Sequence, residues 1–131
     1  MIVLDASALA EYLVGTRVGA EVDRMLTADG GPVHLPHLAV IETASVFRAS
    51  VARGALGRET AGHALADLHD FPATLHPAGP FLDRVWELRH AVTAYDGLYV
   101  ALAEALDARL LTLDARLARS HGHQARIDVL G

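Results

Sequence analysis

Two kinds of apolar run alternate along the chain. Residues 2–5 (IVLD) and 109–113 (RLLTL) are short and apolar nearly throughout, without the in-out alternation of a strand that has one wet face. Weaker strand candidates lie at 33–35, at 74–76 (TLH) and near 126–130. Between them the apolar residues recur at helical spacing. Helices are predicted through Ala8, Tyr12 and Leu13, at 18–25, at 37–53 opened by Pro36 and closed by Gly54, at 58–69, at 81–91, and at 96–107, where Leu98, Leu102 and Leu106 form one line. A short helix follows from Ala115, and Gly30, Gly31 and Pro32 break the chain before the second strand.

Strands that are apolar on both sides and separated by helices indicate an α/β three-layer domain, a central mostly parallel sheet flanked by helices. Ligands of such sheets sit outside the carboxyl ends of the strands. Asp5 and Asp114 stand at that end of their predicted strands.

Composition narrows the chemistry. With 131 residues and 52% hydrophobic content, the chain is expected to form one domain over residues 1–131. No apolar run approaches the ~20 residues needed to span a bilayer, and MIVLD lacks the basic flank of a signal peptide, so a soluble, cytoplasmic protein is expected. There is no cysteine, hence no disulfide, thiolate zinc site or cysteine nucleophile. There is also no lysine, which removes the P-loop and Schiff-base mechanisms in their usual forms. The formal net charge of −5 argues against nonspecific coating of nucleic acid but leaves room for a local site.

Four acids draw attention. Asp5, Asp96 and Asp114 each precede a predicted helix, and any one alone is explained as an N-cap or a partner of the helix dipole. Glu42 is different. Val40, Ala44, Phe47 and Val51 form one apolar line beside it and Leu38, Ile41 and Ala49 another, so a carboxylate between them needs a partner, and Arg48 is too far round the helix. The competing expectation puts Glu42 on a narrow exposed stripe with Thr43 and Ser45. Taken together, the four can meet at one edge of the sheet, where their mutual repulsion would be relieved by a hard divalent cation such as Mg²⁺ or Mn²⁺. Metal-assisted phosphodiester hydrolysis is the chemistry such a site supports.

IVLDASALAEYL, the glutamate of LAVIETASV, TAYDGLYVALAEAL and LLTLDARL, in this order, resemble the acidic motifs of PIN-domain ribonucleases, specifically the VapC-type toxins of bacterial type II toxin–antitoxin systems. The likeness spans essentially the whole chain. It implies a Mg²⁺- or Mn²⁺-dependent endoribonuclease whose metal ligands and catalytic acids fall on Asp5, Glu42, Asp96 and Asp114. Ser7 and Thr112 match hydroxyls that flank the acids in relatives and would touch the acids or a metal-held water. Gly97 stands where many relatives have alanine and would loosen the turn after Asp96. Products with a 5′-phosphate and a 3′-hydroxyl, a cognate VapB-type antitoxin and a homodimer are implied as well. A mean hydropathy of +0.27 agrees with apolar surface covered by a partner.

Arg116 and Arg119, just after Asp114, are candidates for RNA phosphate contacts, or else solvated arginines of a helix face. The histidine groupings His34 with His37 and His121 with His123 read as surface or structural residues rather than a zinc site. Glu87 and His90 have di-iron spacing, but the second copy such a bundle needs is absent. Two alternatives stay open: a PIN-like module that binds RNA or protein without catalysis, and an aspartyl phosphatase or phosphoacceptor domain. The second lacks its usual lysine.

Overall fold

The chain winds into a five-stranded, all-parallel sheet of order β3-β2-β1-β4-β5 in a computed structural model that describes residues 1–131. In chain order the elements are β1 (Ile2–Leu4), α1 (Ala6–Val14), α2 (Arg17–Asp29), β2 (Val33–Pro36), α3 (Leu38–Ala52), α4 (Arg58–His69), β3 (Thr74–His76), a 3₁₀ turn (Gly79–Phe81), α5 (Leu82–Glu87), α6 (Ala94–Leu106), β4 (Arg109–Thr112), α7 (Ala115–Ala118) and β5 (Arg126–Val129). Ile2, Val3, Leu4, Leu110 and Leu111 are all buried, which is why β1 and β4 show no alternation. Right-handed crossovers place α1 to α4 on one face and return the chain through α5 and α6 on the other. Accordingly α1 packs with α2, α3 and α4, whereas α6 packs with α5 and lies across β1, β2 and β4.

The strand order reverses between β1 and β4. The chain first builds outward from β1 through β2 to β3, then crosses back to lay β4 on the opposite side of β1, with Leu4 in register with Leu111. That switch point opens a crevice at the carboxyl ends of the two strands. Asp5 and Asp114 follow those ends, as their positions in the sequence predict.

Two elements differ from expectation. Pro36 does not open a helix; it ends β2, paired in register with His76, and α3 begins at Leu38. Its fixed φ suits a strand end as well as a helix start, and the chain needs the extended form to reach β3. The helix expected over 81–91 stops at Glu87. Leu88 turns into the core, 3% exposed, while the Arg89 guanidinium takes the Trp86 carbonyl and lies over the Trp86 ring.

Gly19 and Gly97 occupy helices where the need for glycine is opposite. A Cβ on Gly19 would sit 2.1 Å from the Glu11 carbonyl oxygen, so the α1–α2 contact depends on its absence. Gly97 is buried inside α6, and the helix is regular there, with the Gly97 N–H bonded to the Thr93 carbonyl at 2.8 Å. A Cβ would meet Val85 and Val92 at 3.5 and 3.6 Å, ordinary packing distances. Gly19→Ala is therefore expected to cost roughly 1–3 kcal/mol or more by overpacking, and Gly97→Ala to gain roughly 0.5–1 kcal/mol of helix stability. Denaturant midpoints of the two variants check this, and a stabilised Gly19→Ala would contradict the packing described.

Candidate functional site

Asp5 is the first residue past β1 and caps α1. It is 8% exposed, and three donors hold its carboxylate. Oδ1 accepts the Ser7 hydroxyl at 2.6 Å and the Ala8 N–H at 3.0 Å, and Oδ2 accepts the Thr112 hydroxyl. Each hydroxyl also receives a backbone N–H, Ser7 from Leu113 at 3.0 Å and Thr112 from Asp114 at 3.0 Å. Two side chains thus tie the end of β4 to the end of β1 through one carboxylate. Capping and site-building are the same act here, so the N-cap reading of Asp5 and the functional one do not compete.

Glu42 projects from α3, and its Oε1 accepts the Tyr99 hydroxyl of α6 at 2.7 Å across 57 residues of sequence. It has only one buried flank. Ile41, expected to be covered, is 70% exposed, Ala49 is exposed, and the buried neighbour is Thr43, which lies in the core rather than on a polar stripe with Ser45. Burial holds the Glu42 carboxyl above its ordinary range, the charges of Asp96 and Asp5 push the same way, and only the Tyr99 hydrogen bond opposes them. Asp96, in the first turn of α6 after the Thr93 cap, is also raised: by burial first, then by Asp114 and Asp5, against Thr93 and Arg116. Asp114 caps α7 by accepting the Arg116 N–H at 2.9 Å. The acids therefore share one electrostatic neighbourhood, with Asp96 and Asp5 both acting on Glu42, and Asp114 and Asp5 both acting on Asp96.

Sequence reasoning passed over Tyr99. Its signal was available: it lies three residues after Asp96, on the same face of a helix that is otherwise apolar there, and a phenol in such a face needs a partner.

The other candidates divide. Arg116 is exposed, with its Nε 3.5 Å from Asp114 Oδ1, and Arg119 is exposed at the end of α7. A cleft of about 230 Å³ beside them is lined by Val92, Thr93, Asp96, Asp114, Arg116 and Leu117. His34 does not pair with His37; it meets His76 across the β2–β3 edge, ring nitrogens 2.9 Å apart, and burial holds its pKa low, with His76 and the N-terminus adding to the effect. His123 binds the Ser120 hydroxyl at 2.7 Å, and Glu87 pairs with Arg84 at 2.9 Å.

As placed, no three acidic or histidine side chains stand close enough to hold an ion between them. The donor chemistry nonetheless suits a hard cation. All four acids offer oxygen, Glu42 and Asp96 repel their neighbours, and the one arginine at hand, exposed Arg116, lies 3.5 Å from Asp114 and only partly offsets the charge at Asp96. An ion that keeps several of its waters spans wider gaps than direct ligation would allow.

The raised carboxyls set a pH dependence. Glu42 and Asp96 bind protons more tightly folded than unfolded, so the metal-free fold loses stability as pH rises from their ordinary values of 4.5 and 3.8 through the raised ones. The penalty is full once pH lies above the raised values. Glu42→Gln and Asp96→Asn are expected to raise the metal-free melting temperature at pH 7, with the gain shrinking as pH approaches about 4. Melting curves across that range decide it; a lower melting temperature at pH 7 would mean these acids are held by attraction instead.

A profile of the PIN domain family matches residues 2–121. Ribonuclease VapC12 of Mycobacterium tuberculosis is 40% identical over 130 residues, covering 99% of this chain and 99% of the relative. Among solved structures, VapBC2 from Rickettsia felis bound to a DNA fragment from its promoter superposes with a TM-score of 0.68 at 15% identity, with all of both chains covered. VapC20 of Mycobacterium tuberculosis, described as a toxin that cleaves the sarcin-ricin loop, gives a TM-score of 0.66 at 17% identity, covering 91% of this chain and 94% of that one. The structures share the fold, and the sequence relationship runs from end to end: the chain belongs to the PIN-domain family and, within it, to the VapC ribonucleases.

Proposed function

We propose that residues 1–131 act as one PIN domain that hydrolyses RNA phosphodiester bonds, as the cytoplasmic toxin of a VapBC-type pair. The observation that carries this reading is Asp5, pinned by Ser7 and Thr112 at the β1–β4 switch point while Glu42 and Asp96 repel it and one another. No helix is long and apolar enough to cross a membrane. PIN-domain ribonucleases are metal-dependent in general, and the all-oxygen donor set of Asp5, Glu42, Asp96 and Asp114 suits Mg²⁺ or Mn²⁺. Such an ion supplies a more acidic water and offsets negative charge as the phosphodiester bond breaks.

The chain's own contributions follow from its geometry. Asp5 offers an acceptor whose orientation is set by three donors, and a preset ligand loses little freedom on binding. Ser7 and Thr112 give their protons to Asp5, so they orient it without competing for a cation. Arg116 is free to leave Asp114 for an RNA phosphate, and Arg119 stands one helical turn on, where it would track the strand backbone. The likeness to PIN-domain ribonucleases implies products with a 5′-phosphate and a 3′-hydroxyl, the 3′ oxygen being the leaving group. Exposed Ile41, Leu82, Trp86 and Tyr95 support a homodimer and a VapB-type antitoxin covering apolar surface. A non-catalytic RNA- or protein-binding module is the second reading, favoured by the absence of three converging ligands.

Cleavage of RNA by the purified chain is expected to stop with EDTA and return with Mg²⁺ or Mn²⁺. Asp5→Asn should abolish it while leaving the fold intact, because asparagine caps a helix about as well as aspartate but lacks the charge that holds an ion. End-sequencing of the products reads the chemistry. EDTA-resistant cleavage would overturn the metal assignment, and no cleavage of any RNA under any metal would favour the binding module.

A further inference from the structure

We infer that Tyr99 is a positioning residue: its hydroxyl holds one oxygen of the Glu42 carboxylate and leaves the other for a divalent cation. The inference rests on the metal site proposed above. Tyr99 is 2% exposed, so packing fixes its ring, and a phenol oxygen on a fixed ring has one place to be. Glu42 Oε1 accepts its proton at 2.7 Å. Through one side chain, α6 sets the carboxylate of α3, one helical turn from Asp96.

Glu42 needs such a tether. Its side chain has three rotatable bonds, its only hydrogen-bond partner is Tyr99, and it forms no ion pair. Asp96 and Asp5 repel it, and its neighbour Ile41 is exposed, so an untethered carboxylate would swing toward solvent. The core itself requires only a phenyl ring at position 99, since burying an unpaired hydroxyl would cost free energy that phenylalanine avoids. The hydroxyl thus serves Glu42, and its removal should act on cation affinity rather than on packing.

The test is calorimetric Mn²⁺ binding to the full chain and to Tyr99→Phe, Glu42→Ala and the double variant, with metal-free melting curves and cleavage rates against Mn²⁺ concentration. Tyr99→Phe is expected to raise the Mn²⁺ dissociation constant by roughly 10–100-fold, with the rate recovering at saturating Mn²⁺. Added to Glu42→Ala, it should weaken binding no further. Unchanged Mn²⁺ affinity in Tyr99→Phe, or an equal loss in the Glu42→Ala background, overturns the inference and leaves the ribonuclease reading standing. An unmodified chain that binds no Mn²⁺ overturns both.

Discussion

The Asp5 carboxylate is where the architecture of this domain meets its proposed chemistry. Protons run in one direction around it: backbone N–H groups of Leu113 and Asp114 donate to the Ser7 and Thr112 hydroxyls, and those hydroxyls donate to Asp5. A hydroxyl has a single proton, so once its acceptor lone pairs are engaged by an amide its donor is committed. The arrangement leaves neither hydroxyl free to rotate, and it fixes β1, β4 and the first turn of α1 as one unit. Around that unit the remaining acids are hung from α3, α6 and α7.

Those acids are a burden on the fold. Glu42 and Asp96 sit where burial and like charge both disfavour ionisation, which is the opposite of what stability alone would select. The surroundings limit the damage by the Tyr99 hydrogen bond to Glu42 and, at Asp96, by the Thr93 cap and the exposed Arg116. The strong ion pairs lie elsewhere: Arg84 forks onto Glu104, which also receives the Gln124 N–H, and binds α5 to α6 and to the loop before β5. The charge imbalance is thereby concentrated at the switch point.

Much of this was legible in the residues. IVL and RLLT announce doubly covered strands because nothing in them alternates, and an acid just beyond a buried parallel strand marks the carboxyl edge of a sheet. What periodicity cannot give is which side of a helix meets what. Ile41 and Ala49 share a helical line with Leu38, yet that line faces outward, because the α3 surface carrying Ala39, Thr43 and Phe47 is the one that enters the core. Pairings across long separations were equally out of reach: His34 was matched with its near neighbour His37, while its partner His76 is 42 residues on in an edge strand. The end of α5 is not legible because Leu88 continues the helical pattern in sequence, whereas the helix ends at Glu87 and Leu88 is buried as its C-cap.

The bond between Thr112 and Asp5 spans 107 residues, nearly the length of the molecule. Contacts so distant along the chain are the last to repay the entropy of closing the loop between them, and they slow the step that forms them. β1 and its acid are made first, with Asp5 Oδ1 held by Ser7 and Ala8, but Oδ2 has no partner until β4 docks beside it. A nascent or truncated chain that has built β1 to β3 carries the first two acids on an otherwise native-looking half sheet, without the Thr112 and Tyr99 hydroxyls that complete their hydrogen bonds. Competence arrives in a single event, when the polypeptide is essentially finished.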